Sequence, residues 1–531
     1  MKRPFIILIL AILFCLTASA TTYVSQGGGS LTCNGGTQST VSVATFNSST
    51  PAAGDVIWLC GTITSAVHER GDGSSGNPIT MNFDAGAKIS LPVCNDVSVG
   101  TTCLNIGSWI VVNGGTACGP GTTCSANDTG TGIIEATTNG TGLATQQCNS
   151  QAILARGGNN EVKNLIIRNV YKHTSSTDNT CGGGDDQAYY NSSSNGTSMH
   201  DMTIHDVGTG WREAGVSSNI SFYNIHAYNY NWAFQSGVGG GLTASNYFIH
   251  DNHFGSTANW DDTLTNHFHH NSIFLFDNCG SDTCPEHFSN VYIYNNLFDG
   301  GRGCCSTSQV YFGGGDPNPV YLWNNVFDNR GQSAGLANGL LVATGGHLAG
   351  TRVGTVTYLY NNSFLGAGTG VDVQPCAVLE GTVRAMENNV FDGCATLVNS
   401  KASPSTITAA GLNSNFYGAA GTNVWQYQGS NQTTLGAWQS ATSGDENAVK
   451  ASNAMLNPDG SPQAGSPVIG AGTNLTALCS GSLLSLCSDT SDGGARTPVT
   501  RPPTGAWDDG AYADPSGTPP APPTGLNAAV Q

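Results

Sequence analysis

YFIHDNHFG (247–255) returns as VYIYNNLFDG (291–300), VYLWNNVFDN (320–329), TYLYNNSFLG (357–366) and VRAMENNVFDG (383–393). Each copy alternates apolar and outward residues, then carries an Asn or Asp pair, one residue, and Phe. Working outward from these copies, the Phe recurs at Phe254, Phe274, Phe298, Phe327, Phe364 and Phe391, with spacings of 20, 24, 29, 37 and 27 residues. Irregular repeats of roughly 20–40 residues, each a strand and a turn, indicate a solenoid. Strand-plus-Asn repeats suit a parallel β-helix, so the expected fold class is all-β.

Composition agrees. Gly is abundant (71) and only 10% of residues are charged, which suits a turn-rich β body, while 39% hydrophobic residues suffice for a core. Residues 1–20, MKRPFIILILAILFCLTASA, carry a basic start, an apolar run and a small-residue cleavage site at Ala18-Ser19-Ala20. They read as a secretory signal peptide, so a secreted, extracellular chain beginning near Thr21 is expected. A membrane anchor needs about 20 apolar residues, and this run is shorter; no membrane insertion is expected. Without Cys15, 16 cysteines remain. In a secreted protein these read as disulfides, with Cys94/Cys103, Cys118/Cys124, Cys279/Cys284 and Cys479/Cys487 as close candidate pairs. The net charge of −18 makes nucleic acid and anionic lipid poor partners.

The repeat is explicit from Asn164 to about Phe416. Residues 417–465 are less periodic, with a short helix in TLGAWQSATSGDENAVKAS. SPVIGAGTNL to WDDGAYA forms a closing segment, and the Pro-rich end reads as a linker. The expected organisation is a signal peptide (1–20), a β-helix (21–417), a C-terminal closing segment (418–513) and a tail (514–531). The GDVIWL, GNPIT and NNxF stretches resemble the secreted bacterial right-handed parallel β-helix proteins, the pectate-lyase-like superfamily. The resemblance implies a right-handed parallel β-helix. It specifies activity weakly, because the superfamily holds lyases, hydrolases, esterases, epimerases and surface proteins.

Aligning the copies on Phe sends Ile204, Ile225, Ile249, Ile293, Leu322, Leu359 and Met386 inward. Asp206, Asp251, Asn271, Asn295, Asn324, Asn361 and Asn388 then fall in the turn, where stacked amides form a structural ladder. Between these columns runs an outward one: Arg168, His205, His226, His250, His270, Tyr294, Trp323, Tyr360, Glu387. It reads as an aromatic and His strip that binds a ligand or is covered by loops.

Three loop tryptophans, Trp211, Trp232 and Trp260, follow one per coil. Glu213 stands beside the first, and Asp261 and Asp262 beside the third. Trp faces suit the apolar C–H face of a pyranose, and carboxylates suit its hydroxyls or acid–base chemistry. The alternative is that these rings anchor loops. Glycoside hydrolysis needs two carboxyls. Asp261, Asp262 and Glu213 are candidates, with His267 and Arg212 as assistants. Trp211, Trp232, Trp260, His226, His250, Tyr294 and Trp323 are candidate sugar contacts. Of the motif set that polygalacturonase-like hydrolases of the superfamily combine, only the Asp261-Asp262 pair is present. A lyase needs a base and often Ca²⁺; Asp185 and Asp186, with Asp261 and Asp262, are the candidate ligands. The expected function is a secreted carbohydrate-active protein, monomeric, binding and cleaving a polysaccharide, with hydrolysis favoured over elimination. The rival is a non-catalytic cell-surface β-helix.

Overall fold

A computed structural model describes residues 19–94, 102–138, 151–171, 186–191, 195–213, 215–238, 242–257, 270–277, 287–301, 307–313, 318–332, 339–343, 355–368, 374–421 and 424–514. The chain winds into a parallel β-helix. Each coil contributes to three sheets in turn, named here A, B and C. Sheet A stacks Val56–Leu59, Ile79–Phe83, Ile110–Asn113 and Glu161–Lys163, and later Thr243–His250, His287–Tyr294, Val320–Trp323 and Val356–Tyr360, all in parallel register. Sheet B stacks Lys88–Leu91, Gly132–Ala136 and Leu165–Val170, and later Leu297–Phe298, Val326–Asp328 and Ser363–Leu365. Sheet C stacks Gln151–Ala155 and Gln187–Asn191, and later Ile273–Asp277, Val310–Gly313 and Leu341–Ala343. The long strands Ser198–Glu213 and Ser218–Val238 run through all three.

Asn and Asp make the corners because their short polar side chains tolerate a left-handed backbone. At the A–B corner Asp201, Asn224, Asp251, Asn295, Asn324, Asn361 and Asn388 all have φ between 51° and 58°. The early coils turn the B–C corner the same way, at Asn169, Asp206 and Asn229.

The interior is a set of stacks. Ile89, Ile134, Ile167, Ile204 and Ala227 form one, which continues as Phe254, Phe298, Phe327, Phe364, Phe391 and Tyr417. Its phenyl rings lie 4.6–5.0 Å apart. Phe274 is not among them. It belongs to sheet C, paired with Gln235 and Tyr311.

The Asn pairs divide their work. The second Asn of each pair faces in and is buried, and its amide donates to the next: Asn252 to Asn296 at 3.0 Å, Asn296 to Asn325 at 3.0 Å, Asn325 to Asn362 at 2.9 Å, Asn362 to Asn389 at 3.0 Å, and Asn389 to Asn415 at 3.0 Å. Asn415 passes the chain to Asp445 at 3.1 Å. A continuous amide ladder therefore runs inside, one residue after the expected column; the corner column itself is bonded in part, with Asn229 donating to Asp206 at 3.3 Å and Asn295 to Asp251 at 3.1 Å, before Asn324, Asn361 and Asn388 turn to the strap.

Both ends are plugged. The short helix Val43–Phe46 buries Val43 and Phe46 over the first coil. The helix Leu435–Thr442 lays Trp438 over Trp425 at 6.1 Å, with its indole N–H donating to Asp445 at 3.0 Å. From about Val468 the chain does not stay at the end but turns back as a strap along the A–B corner. There it meets the first Asn of the pairs. Asn388 exchanges bonds with Thr473 (2.8 and 2.7 Å), Asn361 donates to Asp508 O (3.2 Å), and Asn324 donates to Ser488 O (2.9 Å). Further along, Gly493 N–H donates to Asn295 O (3.1 Å), and Ser491 Oγ donates to Asp251. Buried Arg501 organises the strap by donating to Gly510 O at 2.9 Å and lying 5.5 Å from the Trp507 ring.

Disulfides join Cys33–Cys60, Cys94–Cys103, Cys118–Cys124, Cys376–Cys394 and Cys479–Cys487. Three of these are the expected close pairs; Cys279 and Cys284 lie outside the described residues. No helix among the described residues is long and apolar enough to cross a membrane.

Candidate functional site

The outward strip exists, but in a different register from that expected. Its row on sheet A is Lys163, His200, Tyr223, His250, Tyr294, Trp323, Tyr360, Glu387. Arg168, His205 and Tyr228 form a separate row on sheet B, and His226 pairs with His253. The early coils carry His-Asp twice, at His200-Asp201 and His205-Asp206, once before each corner. A single Phe alignment therefore merges two rows. His270 and Asn271 precede a sheet C strand and join neither.

The strip cannot present ring faces to a sugar. His200–Tyr223, Tyr223–His250, His250–Tyr294 and Tyr294–Trp323 are stacked at 4.6, 4.9, 4.5 and 4.2 Å, within 7° of parallel. Tyr223, His250 and Tyr294 each spend both faces on their neighbours and show solvent an edge. The strap then covers the far end. Trp323 is fully buried against Leu475, Leu486 and Trp507, with Nε1 donating to Ser485 Oγ at 3.1 Å. Trp323 is thus enclosed, while Tyr294 and His250 are half-buried members of the stack with an edge outward.

Strand alternation also moves the residues around Trp211. Trp211 lies in the core, stacked 4.7 Å from Tyr189 and 5.8 Å from Phe234. Glu213 is 1% exposed inside the helix, accepting from Tyr247 OH at 2.8 Å and Ser236 Oγ at 3.0 Å. Burial pushes its pKa up to about 8, so it is a neutral acid at pH 7. Neither residue reaches a ligand on the outer face. Arg212, between them, points outward, and burial draws its pKa below the ordinary value. Trp232 is 6% exposed and lies over Phe274 at 6.4 Å. Asp261, Asp262, Trp260, His267 and Asp185 lie outside the described residues. Asp186 is buried at the start of its sheet C strand, with its carbonyl accepting from Thr209 N–H at 2.7 Å. Among the described residues no group of three or more His, Cys, Asp and Glu could hold a metal ion.

Two outer surfaces remain. One is the sheet C row Tyr190, Arg212, Gln235, Phe274, Tyr311, whose members pair rung to rung; within it Gln235 is buried, and Phe274 is stacked with Trp232 and Tyr311. Five rungs at about 4.8 Å span roughly 19 Å. Asp185-Asp186 leads into the strand that holds Tyr190, and Trp260, Asp261, Asp262 and His267 precede the strand that holds Phe274. Among the described residues the bonds of the strap go to the A–B corner and its flanking sheets, and none goes to a sheet C strand.

The other is a His–carboxylate network on sheet B; sequence reasoning put its Arg168, His205 and His226 in the single outward strip and passed over Asp128 and Glu135. Glu135 accepts from Lys88 (3.0 Å), Ser90 (2.8 Å) and Arg168 (2.7 Å). Asp128 bridges Arg168 and His205. His226 stacks on His253 at 4.8 Å, and burial lowers its pKa to about 3. The repeated His-Asp doublet was the available signal.

No family model matches this chain, and no curated protein matches it. Among solved structures it is similar to the GH136 lacto-N-biosidase from Eubacterium ramulus. The identity is 13% over 82% of this chain and 67% of that one, with a TM-score of 0.38. It is also similar to a mannuronic acid specific polysaccharide family 6 lyase from human gut microbiota (12% identity, 77% and 89% covered, TM-score 0.36) and to pectate lyase Pel9A (13%, 94% and 97%, 0.35). At these values the likenesses carry no argument about chemistry; the parallel β-helix stands on its own strand register.

Proposed function

We propose that this is a secreted carbohydrate-active protein that binds a polysaccharide along sheet C and hydrolyses it with Asp261 and Asp262. One observation supports the reading above others. The corner between sheets A and B is taken up by the strap, whereas the sheet C row carries a half-buried guanidinium and half-buried aromatic side chains. Function concentrates on loops held by a rigid scaffold, and the segments flanking this row in sequence carry the remaining Trp, Asp and His candidates. Arg212 is the cation of that row in a chain of net charge −18. A planar guanidinium suits sugar hydroxyls or a carboxylate.

The test is depolymerisation of a panel of neutral and uronic polysaccharides, with Ca²⁺ and with chelator. New reducing ends, lost in Asp261→Ala/Asp262→Ala and with the polymer bound at least about tenfold more weakly by Arg212→Ala, are the expected result. Unsaturated products that require Ca²⁺ would replace hydrolysis by elimination. Neither product nor binding across the panel, from a protein with an unchanged melting curve, would favour a non-catalytic surface β-helix.

A further inference from the structure

The segment 114–131, closed by Cys118–Cys124, crosses the outside of sheet B early in the helix. Its ends are anchored by Gly114 N–H to Lys163 O at 3.0 Å and by Thr131 Oγ1 to Asn164 O, and between them it is pinned at three places. Cys118 N–H donates to Asp201 O at 2.9 Å, and Cys118 O accepts from Thr203 Oγ1 at 2.7 Å. Ser125 Oγ meets His226 Nδ1 at 2.8 Å. Asp128 meets Arg168 through one oxygen and His205 Nε2 through the other, at 3.0 Å. Beneath it, Cys118 and Cys124 cover Ile166 and Ile133. Its far side touches the strap tip, where a methyl added at Gly121 would stand 3.2 Å from Ala495 Cα.

His205 is the pin with a variable charge. Its Nδ1 faces Asp206 Oδ2 at 2.6 Å while its Nε2 faces Asp128. Two ring nitrogens aimed at two carboxylates both need a hydrogen, so the ring is an imidazolium. The other groups that face it are Arg168 on the preceding rung, and Tyr228, stacked at 4.7 Å, and His226 on the following one. Arg168 holds the other oxygen of Asp128 through Nη1 while its Nε and Nη2 serve Glu135, so His205 is one of two cations on Asp128 and the only one of the two that titrates near neutral pH.

We propose that segment 114–131 is a proton-operated latch, held on sheet B while His205 is an imidazolium and loosened when His205 loses a proton. A neutral ring keeps one N–H. Asp206 is the adjacent residue and shares its corner, so the contact that fails is the one to Asp128. Loosening uncovers Ile133, Ile166 and His226 and opens the seam with the strap.

The sign follows from the surroundings. Burial works against the charged ring, but the bonds to Asp128 and Asp206 outweigh it, and the pKa lies above the ordinary 6.5. The hold is therefore complete below pH 6.5 and is lost as pH rises through the folded-state value. His200, between Asp201 and Glu161, has the same double bracket but pins no loop, and serves as an internal comparison.

Hydrogen exchange of the peptide covering 114–131, corrected for intrinsic rates, tests this from pH 5.5 to 9.5. The wild type should lose at least about tenfold protection across one step. That step should coincide with the imidazole titration assigned by NMR through its loss in His205→Gln. Asp128→Asn should show low protection throughout and no step, whereas Ser125→Ala should keep the step. Flat wild-type protection, or a step that survives in Asp128→Asn, would overturn the latch. Unchanged melting curves guard against global unfolding, and none of these residues lies on sheet C, so failure here would leave the polysaccharide reading untouched.

Discussion

Glu213 sits one position beyond Arg212, and that single step of strand alternation turns a carboxyl inward and a guanidinium outward. The consequence is measurable as a pH dependence. The folded chain holds a proton on Glu213 that the unfolded chain releases near pH 4.5, and the folded pKa is about 8. Its favourable contribution is complete below about pH 4.5 and lost as pH rises through about 8. Glu213→Gln keeps an acceptor for Tyr247 and Ser236 and carries no charge. Unfolding at pH 5 and pH 9 should show the variant losing at least about 2 kcal/mol less than wild type between the two. Equal losses would mean that Glu213 is not the titrating group. Alternation was legible at this site, since Trp211, Glu213 and Tyr247 share the inward parity. What was not legible is that the strand continues through the B–C corner, because nothing in GTGWREAG marks a loop or a strand by itself.

At the scale of the element, the doubled Asn separates two duties that look alike in sequence. Asn362 gives its amide N–H to Leu322 O (2.9 Å) and Asn389 Oδ1 (3.0 Å), while its oxygen accepts from Asn325. Asn361 reaches out to the strap at 3.2 and 3.4 Å. Asn362→Ala should therefore cost at least about 3 kcal/mol in denaturant unfolding, since several fully buried partners lose their bonds. Asn361→Gly keeps the left-handed turn and should cost about 1 kcal/mol or less. Its visible effect should be faster hydrogen exchange in residues 468–513. A reversal of the two would sink the assignment of ladder and strap. The expected ladder exists at the corner between Asp251 and Asn295, but the continuous one runs a residue later: sequence shows that Asn recurs in pairs, and only the backbone shows which member occupies φ near +55°.

In the whole molecule each coil packs chiefly on its neighbours, so damage should stay local. Trp438→Ala removes the plug over Trp425 and a donor to Asp445. A core Trp→Ala costs about 3–5 kcal/mol. Here it should appear as faster exchange in peptides from 412–450, with peptides from 56–113 unchanged; uniform loss along the chain would contradict the solenoid account. The sequence by itself determined the coil. The repeating Asn corner, the inward apolar parity and the Phe stack are local signals, each written within about ten residues. The tertiary structure alone decided the rest. Coil lengths vary, so the pairing of strands in the early coils, with a His-Asp doublet at each of two corners, depends on how much chain each loop absorbs. The strap closes contacts such as Ser491 to Asp251, 240 residues apart, and no local pattern encodes a partner at that distance. Rings that look like a sugar platform in a linear reading lie face to face once rungs stack about 4.8 Å apart, and that spacing exists only in the folded coil.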